Sequence, residues 1–119
     1  MTETIPRTWE AKRTDQTRTV ERVLREAGFE QSDAYRYNSA AIRLRVIDPR
    51  FEGLKIAERD ALVDPILETL PEETQGDIMS LYTFAPSEVD TGSSLPHGRD
   101  ALRHRLLNLE FDDPTPSVL

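Results

Sequence analysis

The run Ala41-Ile42-Arg43-Leu44-Arg45-Val46-Ile47-Asp48-Pro49-Arg50-Phe51-Glu52-Gly53-Leu54 decides how this chain is read. Its first part alternates. Ile42, Leu44 and Val46 fall on one side of an extended backbone, and Arg43, Arg45 and Ile47 on the other. A period of two predicts a strand over 41–48, with one face on a core and one partly wet. Asp48-Pro49 ends it, because proline cannot donate to a ladder. The connector 50–56 then carries the anchors Phe51, Leu54 and Ile56, with Gly53 free to turn.

Working outward, Val20, Val23, Leu24 and Ala27 follow a helical stripe over 16–27. Thr14 or Asp15 can cap its start, and Gly28 can end it. Arg18, Glu21, Arg22 and Arg25 are assigned to water. Residues 34–38 read as a short strand before an Asn38-Ser39 turn. A second helix runs from Ala57 to Leu70 as one kinked element, although an interior Pro65 costs about 3 kcal/mol. Residues 71–76 read as a polar loop, 77–84 as a third strand and 87–97 as a loop. Residues 98–108 form a last helix, with Ala101, Leu102, Arg105, Leu106 and Leu109 as its stripe. The prediction is α+β: a small three-stranded sheet with helices packed on one face, in the order α-β-β-α-β-α. Residues 1–14 are expected to be a flexible arm, with its isolated Trp9 either docked on the body or in solvent. Residues 15–109 form the domain, and 110–119 a flexible acidic tail.

The stretch from Ile42 to Leu54, with Glu58-Arg59 and Leu62-Val63 after it, resembles the centre of BolA-like proteins. There a strand of alternating arginine and valine leads to Phe-Glu-Gly and a helix. Ile78 to Pro86 is similar to that family's last strand and the turn after it. The resemblance spans roughly residues 16–88. It implies an α-β-β-α-α-β-α fold related to the class II KH arrangement. It also implies a monothiol glutaredoxin as partner, with an iron–sulfur cluster shared through histidine. This chain departs from the pattern at the histidines. Asp60 stands after Arg59, Asp77 stands before the last strand, and Tyr37 to Ala40 offer neither histidine nor cysteine. A carboxylate is a harder ligand than imidazole and suits a sulfide cluster poorly. No cofactor is therefore expected, and the fold carries over better than the cluster chemistry.

Composition narrows the remaining classes. The 119 residues contain no cysteine, which excludes disulfides and thiolate ligands from this chain. No apolar run approaches the roughly 20 residues of a membrane helix, and the first residues lack the apolar core of a signal peptide. A cytoplasmic location, without membrane association, is the expectation. The net charge is −7, unevenly spread: residues 1–59 balance to +2 and residues 60–119 to −9. His97 and His104, the two histidines, are too far apart along one helix to share an ion. Asp48 with Glu52 and Glu58 with Asp60 lie in a connector and at a helix start, where acids serve structure. Ser93, Ser94 and His97 lack a nucleophile elbow, and no phosphate loop is present. An enzyme is not expected.

The leading expectation is thus a non-catalytic interaction domain that contacts a protein through Arg50, Phe51, Gly53, Arg59, Asp60 and Val63, as a monomer or weak dimer. The alternative is a nucleic-acid-binding domain using the arginines Arg36, Arg43 and Arg45. It is disfavoured by the charge and by the lack of a Gly-x-x-Gly clamp. A third candidate is the tail segment Glu110-Phe111-Asp112-Asp113-Pro114, an aromatic anchor among acids suited to a basic groove.

Overall fold

A computed structural model describes residues 8–89 and 98–116. A 3-10 helix at Thr8–Lys12 precedes α1 (Asp15–Glu26), and strands β1 (Gln31–Asn38) and β2 (Ala41–Ile47) follow. A 3-10 turn at Pro49–Phe51 leads to α2 (Ile56–Leu67), α3 (Glu72–Asp77) and β3 (Ile78–Phe84). The chain then continues through α4 (Pro86–Val89) and α5 (Gly98–Asp112). The predicted α+β class holds; α3 brings the order up to β3 to the α-β-β-α-α-β that the BolA resemblance implies, and two helices, the short α4 and α5, follow β3 where one is expected. Residues 71–76 were expected as a loop. The helical turn forms there with Glu72 and Glu73 in its first turn, where acids meet the positive end of the dipole.

The sheet order is β1-β2-β3, antiparallel between β1 and β2 and parallel between β2 and β3. Central β2 therefore carries both ladders. Local signals explain the surrounding helices. Thr14 caps α1, its hydroxyl accepting from the Thr17 N–H while the Thr17 hydroxyl accepts from the Thr14 N–H. Gly28 takes a φ of 98° after that helix, and Gly53 a φ of 74° after the 3-10 turn, conformations that side chains strain. Pro65 sits inside a single helix α2, and the helix ends two residues later, at Leu67, rather than at the expected Leu70.

One face of the sheet presents Ala34, Ile42, Leu44 and Val46, all fully buried with Val20, Leu24, Phe51 and Val63. Those residues come from α1, the 3-10 turn and α2. The opposite face, expected to be partly wet and free of helices, is covered as well. The N-terminal 3-10 helix and α5 bring Trp9 and Phe111 onto Tyr35, with Tyr37 and Tyr82 alongside. Packing thus continues past both predicted domain limits: Trp9 belongs to the body rather than to an arm, and Phe111 in the supposed tail is 0% exposed.

Two further assignments change. Glu21 is buried rather than solvated, accepting from the Ala34 backbone N–H at 2.9 Å and paired with Arg13. In α5 the described part of the expected stripe faces solvent, with Leu106 57% and Leu109 55% exposed. His104, Asn108 and Phe111 make the contacts with the sheet instead.

Candidate partner surface

The residues of the predicted contact surface divide in the structure. Phe51 and Val63 are fully buried and build the core. Arg50 is exposed but bound to Asp48, Nε to Oδ1 at 2.9 Å. Asp48 in turn accepts from the backbone N–H groups of Arg50 and Glu30. Burial pushes the Asp48 carboxyl up, and these bonds outweigh it, so its pKa lies below the ordinary carboxylate value. Asp48 is thus the cap of the 3-10 turn. Glu52 accepts from the Ser87 hydroxyl at 2.7 Å and Glu58 from the Lys55 N–H at 2.9 Å. Those carboxylates hold turns together, as their positions in the sequence implied.

Arg59 is an internal brace. It donates from Nε to the Leu54 carbonyl and from Nη1 to the Thr83 carbonyl, both at 3.0 Å. It also forms a bidentate pair with Glu88, at 2.7 and 2.8 Å. Burial raises Glu88, but the Arg59 bonds and the Ala85 N–H bring its pKa below the usual range. His104 stands 3.7 Å from the same carboxylate and edge-on to Phe84, 5.8 Å between ring centroids. Arg59, expected as a free contact, therefore ties α2 to β3 and α4.

The arginine strip is saturated from within. Arg36 bonds to Asp77 at 2.7 Å and to Gln16. Arg43 pairs with Glu110 at 2.8 Å and stacks 3.7 Å above the Tyr37 ring. Arg45, 2% exposed, reaches Asp33 and Asp112 at 2.7 Å each and the Asn108 amide oxygen at 2.7 Å. Its guanidinium lies 4.2 Å over Phe111. The tail motif, read as an anchor for a partner's basic groove, thus docks on this chain's own arginines. Two separate candidates in the sequence meet, Arg43 and Arg45 pairing with Glu110 and Asp112. Burial lifts the Tyr35 hydroxyl beneath them to about 12.

An open surface lies elsewhere. A groove of about 430 Å³ separates the second half of α2 from the start of β3. Asp60, Asp64, Leu67 and Glu68 line one wall, Gln75 one end, and Ile78 to Leu81 the other wall. Asp60 Oδ1 is buried without a hydrogen-bond partner. Burial raises the Asp60 pKa, and the charge of Asp64 adds to the shift. Met79 stands 67% exposed at the rim. Of the residues predicted for contact, only Asp60 lines this groove. Gly53 lies on the exposed turn. The rest of the groove had a weak signal in the sequence: acids at 60, 64 and 68 repeat every four residues, so they share one helix face. Ser93, Ser94 and His97 lie outside the described residues. Among the described residues no group of three metal-ligating side chains occurs, and no helix is long and apolar enough to cross a membrane.

No family model matches the chain, and no curated protein matches it. Among solved structures, BolA1 from Arabidopsis thaliana is similar in fold, with a TM-score of 0.49 and 16% identity over 65% of this chain and 99% of that one.

Proposed function

We propose that this chain is a non-catalytic, BolA-like interaction domain that binds a protein partner of the monothiol glutaredoxin kind in iron–sulfur or redox regulation, without supplying a cluster ligand. The observation that carries this reading is the groove beside β3, where Asp60 stands at the position the resemblance gives to histidine and leaves one carboxylate oxygen unpaired. Support also comes from the strand-to-helix stretch Ile42 to Val63 and from the observed element order. Contact centres on Asp60, with Gly53 and Arg50 on the adjoining exposed turn; Phe51, Arg59 and Val63 hold that turn and helix in shape. The nucleic-acid alternative loses support because Arg36, Arg43 and Arg45 already meet carboxylates at 2.7 to 2.8 Å.

Titration with a monothiol glutaredoxin, with and without iron and sulfide, tests the reading. A complex is expected to form in both conditions, with no cluster absorbance beyond that of the glutaredoxin alone. No complex in either condition removes the partner. A new cluster spectrum that Asp60→Ala abolishes removes the claim that this chain supplies no ligand.

A further inference from the structure

We propose that the groove between α2 and β3 receives an extended, lysine- or arginine-bearing segment of another protein, which adds as a fourth strand along the free edge of β3. The proposal rests on the interaction-domain reading above and names the chemistry of what binds.

The first support is the edge itself. β2 pairs with β1 on one side and β3 on the other, so among the described residues the outer edge of β3 has no strand beside it. Isolated edges are commonly protected by lysine, proline or inward-pointing charge. Ile78-Met79-Ser80-Leu81-Tyr82-Thr83-Phe84 contains neither charge nor proline. Its protection is Arg59, whose guanidinium already holds the outward Thr83 carbonyl, and a register shift between Ile42 and Arg43, where Met79 becomes the extra residue opposite β2, so the open part of the edge is Ile78 to Tyr82. An uncharged edge is a template for strand addition, in which the backbone supplies affinity and alternate side chains find pockets. Leu67, Ile78 and Leu81 offer such an apolar pocket beside β3.

The second support is charge, which selects the occupant. Asp60, Asp64 and Glu68 form an acidic wall along the groove, and none of the three makes an ion pair among the described residues. A second copy of this chain pairing β3 to β3 would set two such walls together, and each chain already carries −7. Like charges in apposition oppose that dimer, whereas a cationic strand is attracted and oriented. A nucleic-acid strand is repelled by the same wall.

A fluorescein-labelled peptide of about eight residues, alternating valine and lysine, spans the edge at the strand rise. Fluorescence anisotropy against the full chain is expected to saturate. Asp64→Lys with Glu68→Lys changes two exposed positions; it should weaken this peptide roughly tenfold or more and favour a valine–glutamate peptide instead. A valine–lysine peptide N-methylated on its pairing edge keeps the charge but cannot add as a strand, and should also bind roughly tenfold more weakly. Equal binding of the methylated peptide overturns strand addition. A concentration-dependent dimer that Met79→Lys dissolves overturns the proposed occupant. A flat titration while a glutaredoxin complex still forms removes this proposal and leaves the interaction-domain reading standing, and failure of both titrations removes both.

Discussion

The two faces of the sheet are built from the same three strands by different chemistry. On one, Leu44 and Val46 meet α1 and α2 through apolar contact alone. On the other, alternate residues of the same β2 strand, Arg43 and Arg45, meet α5 through carboxylates, an amide and aromatic rings. Burial of apolar area is non-directional and tolerates a choice of neighbours. A buried guanidinium is stable only with its donors matched, so the second face demands particular partners at particular places. Each arginine of β2 finds its acid about 67 residues away in sequence. The chain thus uses directional chemistry to hold its C-terminal helix.

Breaking the apolar face should cost most. Leu44→Ala removes a fully buried side chain from the middle of the core, and a loss of about 2–5 kcal/mol in denaturant unfolding is expected. Both faces should then melt together, because β2 belongs to both. Arg45→Ala should cost less, about 1–3 kcal/mol, since Asp33 and Asp112 regain some water. The two losses should also differ in what they report. Trp9, the sole tryptophan, is buried against Tyr35 and Phe111, so its emission reads the second face. Arg45→Ala should shift that emission toward the solvent-exposed value before the far-ultraviolet circular dichroism falls. Simultaneous loss of both signals would mean that the two faces form one cooperative unit.

Why one face was legible and the other was not follows from those particulars. Ile42, Leu44 and Val46 announce themselves by period, and the turn Asp48 to Gly53 by its proline and glycine. The ends of the fold carried no such mark. Trp9 and Phe111 each stand alone in polar surroundings, and a single large side chain has no periodicity to betray where it docks. In α5 period misled: Leu106 and Leu109 fit a stripe that faces solvent, while His104 and Asn108 bond inward. Polar side chains chosen to match distant charges look, in sequence, like a solvated surface. For the same reason Arg59 reads as a free contact rather than a brace, and its partner Glu88 draws no attention. In the groove, Asp60 drew attention through the resemblance, whereas Asp64 and Glu68 acquire meaning only once β3 lies opposite them.

Acid separates the faces more finely. Glu110 and Glu88 both titrate below the ordinary carboxylate range: burial raises each, and the hydrogen bonds they accept outweigh it. Glu110 is held by Thr115 and Arg43, Glu88 by Arg59 and the Ala85 N–H. A carboxyl with a depressed folded-state pKa adds stability above its unfolded value, and that stability is lost as pH falls through the folded value. Acidification below about pH 4 should therefore loosen the Glu110–Arg43 contact of the second face, read by Trp9, and the Glu88–Arg59 tie between α2 and α4, while the apolar contacts of the first face persist. An unfolding midpoint that holds constant from neutrality down to about pH 3 would show that these pairs contribute nothing net.

The smallest effect has the opposite sign and lies at the groove. Asp60 is raised by burial and by the charge of Asp64, so its ionised form is disfavoured in the folded chain. A group with a raised carboxyl pKa costs stability above that value and returns it on protonation. Asp60→Asn removes the charge, keeps the shape and gives the unpaired oxygen a neutral carbonyl in its place, so a gain of up to about 1 kcal/mol at neutral pH is expected. The gain should vanish when the comparison is made in acid, where Asp60 is already neutral. A substitution that stabilises the isolated chain while weakening its hold on a cationic peptide would show that the strain at Asp60 serves binding rather than folding. Stability unchanged by Asp60→Asn at both pH values would mean that water already satisfies the carboxylate.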